Sequence, residues 1–461
     1  MRAWEQASWA AGRSEEAVIR AAGRAVAEVA QRLVGAKAPM LVLAGKGHNG
    51  DDARFAAEGL AADRVRVMNV TDPVAAAVEL RGLIGTKNLG LIIDGLFGIG
   101  LNRPLDGAWR DLVELVNASQ VPMLAVDVPS GLNADTGEPM GAAIRAVVTV
   151  TFGAPKIGLV RSVAAKFVGR LEVASEIGLI ECPHVAELNW TLPEDFGEFR
   201  SARPVASHKG TYGHLGIIAG SLGYHGAAVL ATRGALRAQS GLVTLHVPEN
   251  VYVPIAAQTQ AAMVRPWLPG EWESEDFSAV LAGPGLASHD LPPSLGEAVL
   301  RTWQHSPNPV VVDASALDWL PPGTTRAGAV RVLTPHPGEA GRLLGTTAAV
   351  VQADRTAALR ELSRKFGGCW VVLKGHQTLV GRSEGDLFIN PSGNPYLAQG
   401  GSGDVLAGYA AGLLAQPRLQ TDPLTAIRFA VWQHGAAADR LESERRAWGV
   451  EELATRLGET H

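Results

Sequence analysis

Met40-Leu41-Val42-Leu43-Ala44 runs straight into Gly45-Lys46-Gly47-His48-Asn49-Gly50-Asp51-Asp52, and a helical run follows from Phe55. A short apolar stretch bounded by glycine reads as a buried strand, and the polar turn behind it reads as the entry to a helix. Such a turn leaves backbone N–H groups free at a helix N-terminus, where the helix dipole also favours a pyrophosphate. The full G-x-G-x-x-G/A pattern is missing, so an ordinary dinucleotide fingerprint is not established. Further strand candidates are Val65–Val70, Leu91–Ile93, Met123–Val126 and Val147–Phe152, with Ala-rich helical stretches between several of them. This alternation predicts a parallel, doubly wound sheet with helices on both faces. The second half repeats it with Leu215–Ala219, Leu242–Val247, Ala279–Ala282, Val310–Val312, Val332–Leu333 and Trp370–Leu373. Between the halves, from about Cys182 to Val205, prolines, acids and aromatics mix, which places domains at residues 1–183 and 184–461.

A chain of 461 residues exceeds one typical core. With 19% charged residues, a net charge of −5 and scattered Lys and Arg, neither a nucleic-acid footprint nor an acidic tail is indicated. Cys182 and Cys369 are far apart with no metal-ligand spacing, which fits a reducing compartment and no structural zinc. The start lacks a signal-peptide core, and no apolar run is long enough for a membrane span, so a soluble cytoplasmic enzyme is expected.

In open α/β sheets, ligands sit beyond the carboxyl ends of the strands. The stretch Asn394-Pro395-Tyr396-Leu397-Ala398-Gln399-Gly400-Gly401-Ser402-Gly403-Asp404 leads into the apolar pattern Val405 to Ala415. Its glycines free amides for a phosphate, and Asp404 in the first helical turn can take a proton from a hydroxyl being phosphorylated. An ordinary helix cap is the structural alternative. Lys374-Gly375 follows a strand candidate and offers a point charge for a phosphate; Thr334-Pro335-His336-Pro337-Gly338-Glu339 stiffens His336, either toward a ligand or as a helix cap. His208-Lys209-Gly210-Thr211-Tyr212-Gly213-His214 is dense in donors and suits a phosphate or ribose contact.

The ordered series HKGTYGH, AGSLGYHGAA, AGPGL, DASAL, LTPHPGE, LKGHQT and NPSGNPYLAQGGSGD closely resembles the ADP-dependent NAD(P)H-hydrate dehydratases of the ribokinase-like superfamily. The resemblance implies that ADP phosphorylates the C6 hydroxyl of a hydrated nicotinamide and that loss of phosphate restores NAD(P)H, leaving AMP. It casts Asp404 as the base and the Gly401, Ser402 and Gly403 amides as stabilisers of the phosphoryl group. Lys374, Gly375, His376, Gln377 and Thr378 would hold the nucleotide with Gly403, and Ala228, Gly285 and His336 would line the hydrate pocket. Mg²⁺ is expected with the nucleotide. Ser315 stands where the family usually has a second acid.

In the first half, Asp94 and Asp127 each stand at a strand end before glycines, where both could simply cap helices or tighten turns, and Asp94, Ser130 and Asn49 offer hard oxygen donors suited to a cation. GKGHNGDD, DGLFGIGLNRPL, DVPSGLNADTG and TFGAPKIGL resemble the NAD(P)H-hydrate epimerase domain and imply a Rossmann-like three-layer sandwich. That family interconverts the R and S hydrates and binds K⁺. By resemblance Asn49, Asp94 and Ser130 would ligate K⁺. His48, Asn49, Gly50, Asp51, Asp52, Gly98, Ile99, Gly100, Leu101, Asn102, Arg103 and Pro104 would meet the hydrate, with Asp127 as acid/base and Lys156 assisting. The family loop G-x-G-N-N-G-G-D-G is altered at His48, Asp51 and Ala53, and a positive φ at Asp51 would cost on the order of 1–2 kcal/mol.

The expected substrates are NADHX, NADPHX and ADP, handled by an enzyme that forms homo-oligomers. Two other readings remain open: a dehydratase with a non-catalytic N-terminal module, and an ATP-dependent ribokinase-like kinase. A plain dehydrogenase lacks its fingerprint and ribose acid.

Overall fold

Alternate side chains of strand β1 (Met40–Ala44) leave for opposite faces and so enter two different cores. Met40 and Val42 pack with Val26, Ala30, Ala53 and Ala56, whereas Leu41 and Leu43 pack with Leu80, Leu112 and Val116. The first group comes from helices α2 (Glu15–Leu33) and α3 (His48–Glu58), the second from α4 (Pro73–Gly85) and α5 (Gly107–Ala118). A strand apolar at every position is what burial on both faces requires. The remaining strands are β2 (Val65–Asn69), β3 (Leu91–Gly95), β4 (Met123–Val126), β5 (Val148–Phe152) and β6 (Arg170–Ala174). They form one parallel sheet in the order β2-β1-β3-β4-β5-β6, with α1 (Arg2–Ala10) and the short α6 (Ala165–Val168) completing this unit.

This computed structural model describes every residue except 36–37, 86–88, 198, 200–201, 445–446 and 460–461. The chain divides into two compact units, Met1–Val185 and Ala186–His461.

The second unit begins with β7 (Leu188–Trp190), β8 (His214–Ile218), α7 (His225–Arg237), β9 (Leu242–Val247), α8 (Tyr252–Ala256), β10 (Met263–Pro266) and α9 (Glu271–Ser274). Next come β11 (Ala279–Ala282), α10 (Pro293–His305), β12 (Val310–Val312), β13 (Arg331–Leu333), α11 (Pro337–Leu344), α12 (Ala348–Ala353) and α13 (Arg355–Lys365). The last elements are β14 (Trp370–Leu373), β15 (Leu379–Gly381), β16 (Leu387–Ile389), α14 (Ser402–Leu414), α15 (Pro423–Glu444) and α16 (Val450–Arg456). Its sheet runs β10-β9-β8-β11-β12-β13-β14-β15-β16-β7, parallel except at the pairs β14–β15 and β15–β16. The second half is thus mixed rather than a simple repeat of the first.

Helix α14 is set by a close crossing with α7. A Cβ at Gly408 would lie 1.8 Å from Ala231 O, and one at Gly234 would lie 2.2 Å from Val405 O. Any side chain at either position would push the helices apart and carry the Asp404 turn with them. No helix of the described residues is long and apolar enough to cross a membrane.

Candidate active sites

Asp127 directly follows strand β4, and its backbone takes φ +63°. Val128 N donates to Val126 O at 2.7 Å across it, a γ-turn of the strained hand. The turn aims a buried carboxylate back over the sheet edge, where Asp127 Oδ1 accepts from Thr151 Oγ1 at 3.1 Å, Phe152 N at 3.3 Å and, more closely still, Lys156 Nζ. Lys156 Nζ also donates to Thr151 Oγ1 at 2.9 Å and Phe152 O at 3.1 Å, so the ion pair is built on the β5 exit.

A cavity of about 920 Å³ opens in front of this pair. His48, Asn49, Asp52, Gly98, Ile99, Gly100, Leu101, Asn102 and Arg103 line it together with Asp127 and Lys156, whereas Gly50, Asp51 and Pro104 do not. Glu5 of α1 also lines it, a residue that no local motif marked. Burial, then the charge of Asp127, raises the Glu5 carboxyl. Asp52 is pushed up to about 8, chiefly by burial and then by Asp127 and Asp51.

The altered Gly loop is ordinary helix. Asp51 carries no positive φ and bonds Arg54 Nη1 at 2.8 Å on the first turns of α3, so the strain expected at that position does not arise. The glycines that the turn needs are Gly45, where a Cβ would stand 2.1 Å from Leu96 O, and Gly50, where one would stand 2.1 Å from Gly45 O.

Behind the cavity, Asp94 is fully buried and accepts from Ser130 Oγ at 2.6 Å, Ser130 N at 2.8 Å and Leu96 N at 3.3 Å. Burial pushes its carboxyl up to about 6 despite those donors. No lysine or arginine among the described residues pairs with it. Asn49 Nδ2 donates to Phe97 O at 3.0 Å, and Asn49 Oδ1 faces Gly98. The three proposed cation ligands therefore converge on the β3 exit, joined through Phe97.

In the second unit, Asp404 lies on the first turn of α14, which Gly401 opens at φ +94°. Its carboxyl is pushed up to about 7 by burial and then by the charges of Asp313 and Glu339, against the pull of Lys374. Lys374 Nζ bonds Asp313 Oδ1 at 2.7 Å and lies 3.9 Å from Glu339 Oε2. Burial works against the Lys374 charge, but these carboxylates outweigh it and raise the ammonium pKa. A Cβ on Gly403 would meet Lys374 Nζ at 3.3 Å, so the loops after β14 and before α14 converge.

Asp313 and Glu339 were not singled out as site residues from sequence, although Asp313 directly follows β12 just as Asp127 follows β4. His336 Nδ1 accepts from Gly338 N at 3.0 Å and Glu339 N at 3.3 Å, and Glu339 Oε2 accepts from His336 N at 2.7 Å. His336 is a cap of α11, with its other ring nitrogen 3.5 Å from Glu339 Oε1. Ala228 and Gly285 pack about Gly220, and Gly285 O accepts from Ser221 Oγ at 2.6 Å. His434 of α15 bonds Ser402 O at 3.0 Å from beneath the loop, and burial pulls it down to about 4, leaving it neutral. Thr211 and Tyr212 of the His208–His214 stretch line a separate cavity of about 770 Å³ with Phe429 and Trp432.

Two family models match: one described as NAD(P)H-hydrate dehydratase over residues 215–460, and one described as the YjeF-related protein N-terminus over residues 73–158. The bifunctional NAD(P)H-hydrate repair enzyme of Gloeobacter violaceus is 36% identical, covering 98% of this chain and 94% of its own length. The Escherichia coli enzyme of the same name is 33% identical over 91% of this chain and 84% of its own. A Bacillus subtilis ADP/ATP-dependent NAD(P)H-hydrate dehydratase, co-crystallised with ATP and Mg²⁺, superposes with a TM-score of 0.50 at 32% identity over 56% of this chain and 92% of that one. An Enterococcus faecalis ribokinase-like superfamily protein gives a TM-score of 0.51 at 26% identity, covering 60% of this chain and 96% of that one. The chain belongs to the bifunctional NAD(P)H-hydrate repair enzymes, which join an epimerase domain to a ribokinase-like dehydratase domain.

Proposed function

We propose that residues 184–461 dehydrate S-NAD(P)HX with ADP and that residues 1–183 interconvert the R and S hydrates. The observation that carries the dehydratase reading is Asp404, a carboxylate held near neutrality beside Lys374 and the Gly401–Gly403 amides. A base with a pKa close to ambient pH is suited to proton abstraction. Asp404 takes the proton of the C6 hydroxyl, and that oxygen attacks the β-phosphorus of ADP as the bond to AMP breaks. Lys374 and the loop amides balance charge on the moving phosphoryl group. The phosphate then leaves C6, a proton leaves C5, and the C5–C6 double bond is restored; the sum is hydrate plus ADP giving NAD(P)H, AMP and phosphate.

Mg²⁺ fits as a companion of the nucleotide rather than of a protein cage. No cluster of three or more His, Cys, Asp or Glu that could hold a metal occurs among the described residues, and Mg²⁺ is commonly bound through substrate phosphates. Bound there, it would neutralise phosphate charge.

In the epimerase domain, the Asp127–Lys156 pair carries the proton of the C6 hydroxyl. The nicotinamide N1 lone pair expels that hydroxyl as water, the pair supplying the proton, and water returning to the opposite face gives the proton back. K⁺ fits Asn49, Asp94 and Ser130, because a buried carboxylate without a cationic partner among oxygen donors suits a hard monovalent ion. Bound there, K⁺ would supply the charge that Asp94 lacks. The family resemblance also supports self-association.

The test is recovery of reduced-nicotinamide absorbance from mixed R and S hydrates with ADP or ATP and Mg²⁺. Complete recovery with ADP is expected. Recovery stalling at the S fraction would make the N-terminal domain a non-catalytic module, and no recovery with either nucleotide would favour a kinase.

A further inference from the structure

Arg355, the first residue of α13, has no part in the chemistry described so far. Its side chain is partly buried, burial pulls the guanidinium down to about 10, and among the described residues no acidic side chain offsets its charge. Among the described residues its hydrogen bonds go to main-chain carbonyls at the end of β14 and in the β14–β15 turn. Nη1 donates to His376 O at very close range and to Gln377 O at 3.1 Å. Nη2 donates to Leu373 O at 2.9 Å and lies 3.5 Å from Lys374 O.

In a trans peptide the carbonyl and the following N–H point in opposite directions. Holding the carbonyls of Lys374 and His376 toward Arg355 therefore turns the amides of Gly375 and Gln377 away from it. Neither amide meets a backbone or side-chain acceptor among the described residues. The turn also takes positive φ at Gly375 (+136°) and at Gln377 (+54°), the second a conformation that costs an ordinary residue ~1–2 kcal/mol. Something must hold it open, and the guanidinium is the group positioned to do so.

We propose that Arg355 is the positioning residue of the nucleotide loop: it draws the carbonyls of the turn inward, so that the Gly375 and Gln377 amides face the nucleotide as donors. Its unpaired positive charge behind the turn favours an anionic ligand in front of it. This rests on reading Lys374–Thr378 as the nucleotide loop.

The experiment compares wild type, Arg355→Met, Arg355→Lys and Lys374→Met in the full chain. ADP affinity is measured by calorimetry, KM and kcat on S hydrate by absorbance, and amide exchange across residues 374–378 by mass spectrometry. Arg355→Met should weaken ADP binding and raise KM for ADP at least ~10-fold, about 1.4 kcal/mol. It should change kcat at saturating ADP much less, leave KM for the hydrate unchanged, and, with ADP bound, speed exchange at Gly375 and Gln377. Arg355→Lys should fall between the two, because an ammonium can hold only some of the carbonyls. A folded Arg355→Met with wild-type ADP affinity and exchange overturns the proposal. If that variant does not fold, Arg355→Lys decides: an unchanged KM for ADP overturns it and a raised one supports it. Absence of ADP binding by wild type, or unchanged affinity in Lys374→Met, instead overturns the nucleotide-loop reading itself and the proposal with it.

Discussion

Lys374 Nζ lies 2.7 Å from Asp313 Oδ1, and the two side chains act with opposite sign on the same third group, Asp404. Removing one partner of such a pair strands the other in a poorly hydrated place, which typically costs about 3–5 kcal/mol. Lys374→Met should therefore destabilise the second unit by several kcal/mol and abolish dehydration. Asp313→Asn should be milder. It removes the largest charge raising Asp404, so the acid limb of the dehydratase pH profile should move to lower pH. Chemical denaturation and pH–rate profiles on S hydrate check both outcomes.

Asp404 acts as a base, so it must be ionised. With its carboxyl pushed up to about 7, dehydration should fall as pH drops through that value. Asp404→Asn should lose about 10²–10⁴ in kcat while still binding ADP. Loss of nucleotide affinity on the same scale would instead make the carboxylate part of the binding site.

Asp127→Asn and Asp127→Ala should both abolish recovery of the R hydrate and leave S-hydrate dehydration intact. They should differ in stability. Asparagine tolerates the left-handed backbone at φ +63°, whereas alanine adds roughly 1–2 kcal/mol of strain. Thermal melts of the two variants separate the conformational cost from the chemical one.

Asp52 allows a stability test with a definite sign. Its folded pKa, about 8, lies above the unfolded value of 3.8, so the folded state holds the proton more tightly between those values. Stability contributed this way is complete below the unfolded value and is lost as pH rises through about 8. Asp52→Asn should hardly change the melting temperature in acid. In mild alkali it should raise that of the N-terminal unit by about 2–4 °C for each ~1 kcal/mol recovered.

Potassium should stabilise the N-terminal unit through Asp94. At a K⁺ concentration ~100 times its Kd, the expected gain is about 2.7 kcal/mol. Melting in KCl and in tetramethylammonium chloride of equal ionic strength should differ for wild type and coincide for Asp94→Asn. Coincidence in wild type would remove K⁺ from the site.

Strands buried on both faces were readable because each is a continuous apolar run, as in Met40–Ala44 and Ala279–Ala282. The edge strands β6, β7 and β10 were not, since partial exposure leaves them no such run. Nor were β15 and β16, which follow β14 in an antiparallel ladder with no helix between them and so break the strand–helix alternation. Among site residues, Asp94, Asp127 and Asp404 carried a local signal, a carboxylate flanked by glycines at an element's end. Glu5 and His434 carried none, because each reaches its site from an element distant in sequence; Arg355 lies on the helix just before β14, but no local pattern marks that its guanidinium turns back to the β14–β15 turn.

The Lys374–Thr378 segment is a hairpin turn, bound on both sides by paired strands, whereas the loops after β8 and β11 are not closed in this way. An inserted residue there must either bulge out or slip β15 by one position, turning its buried side chains to the opposite face. Length variation among related chains should therefore collect in the other loops of this domain, while the five residues of this turn keep their number even where their identities drift.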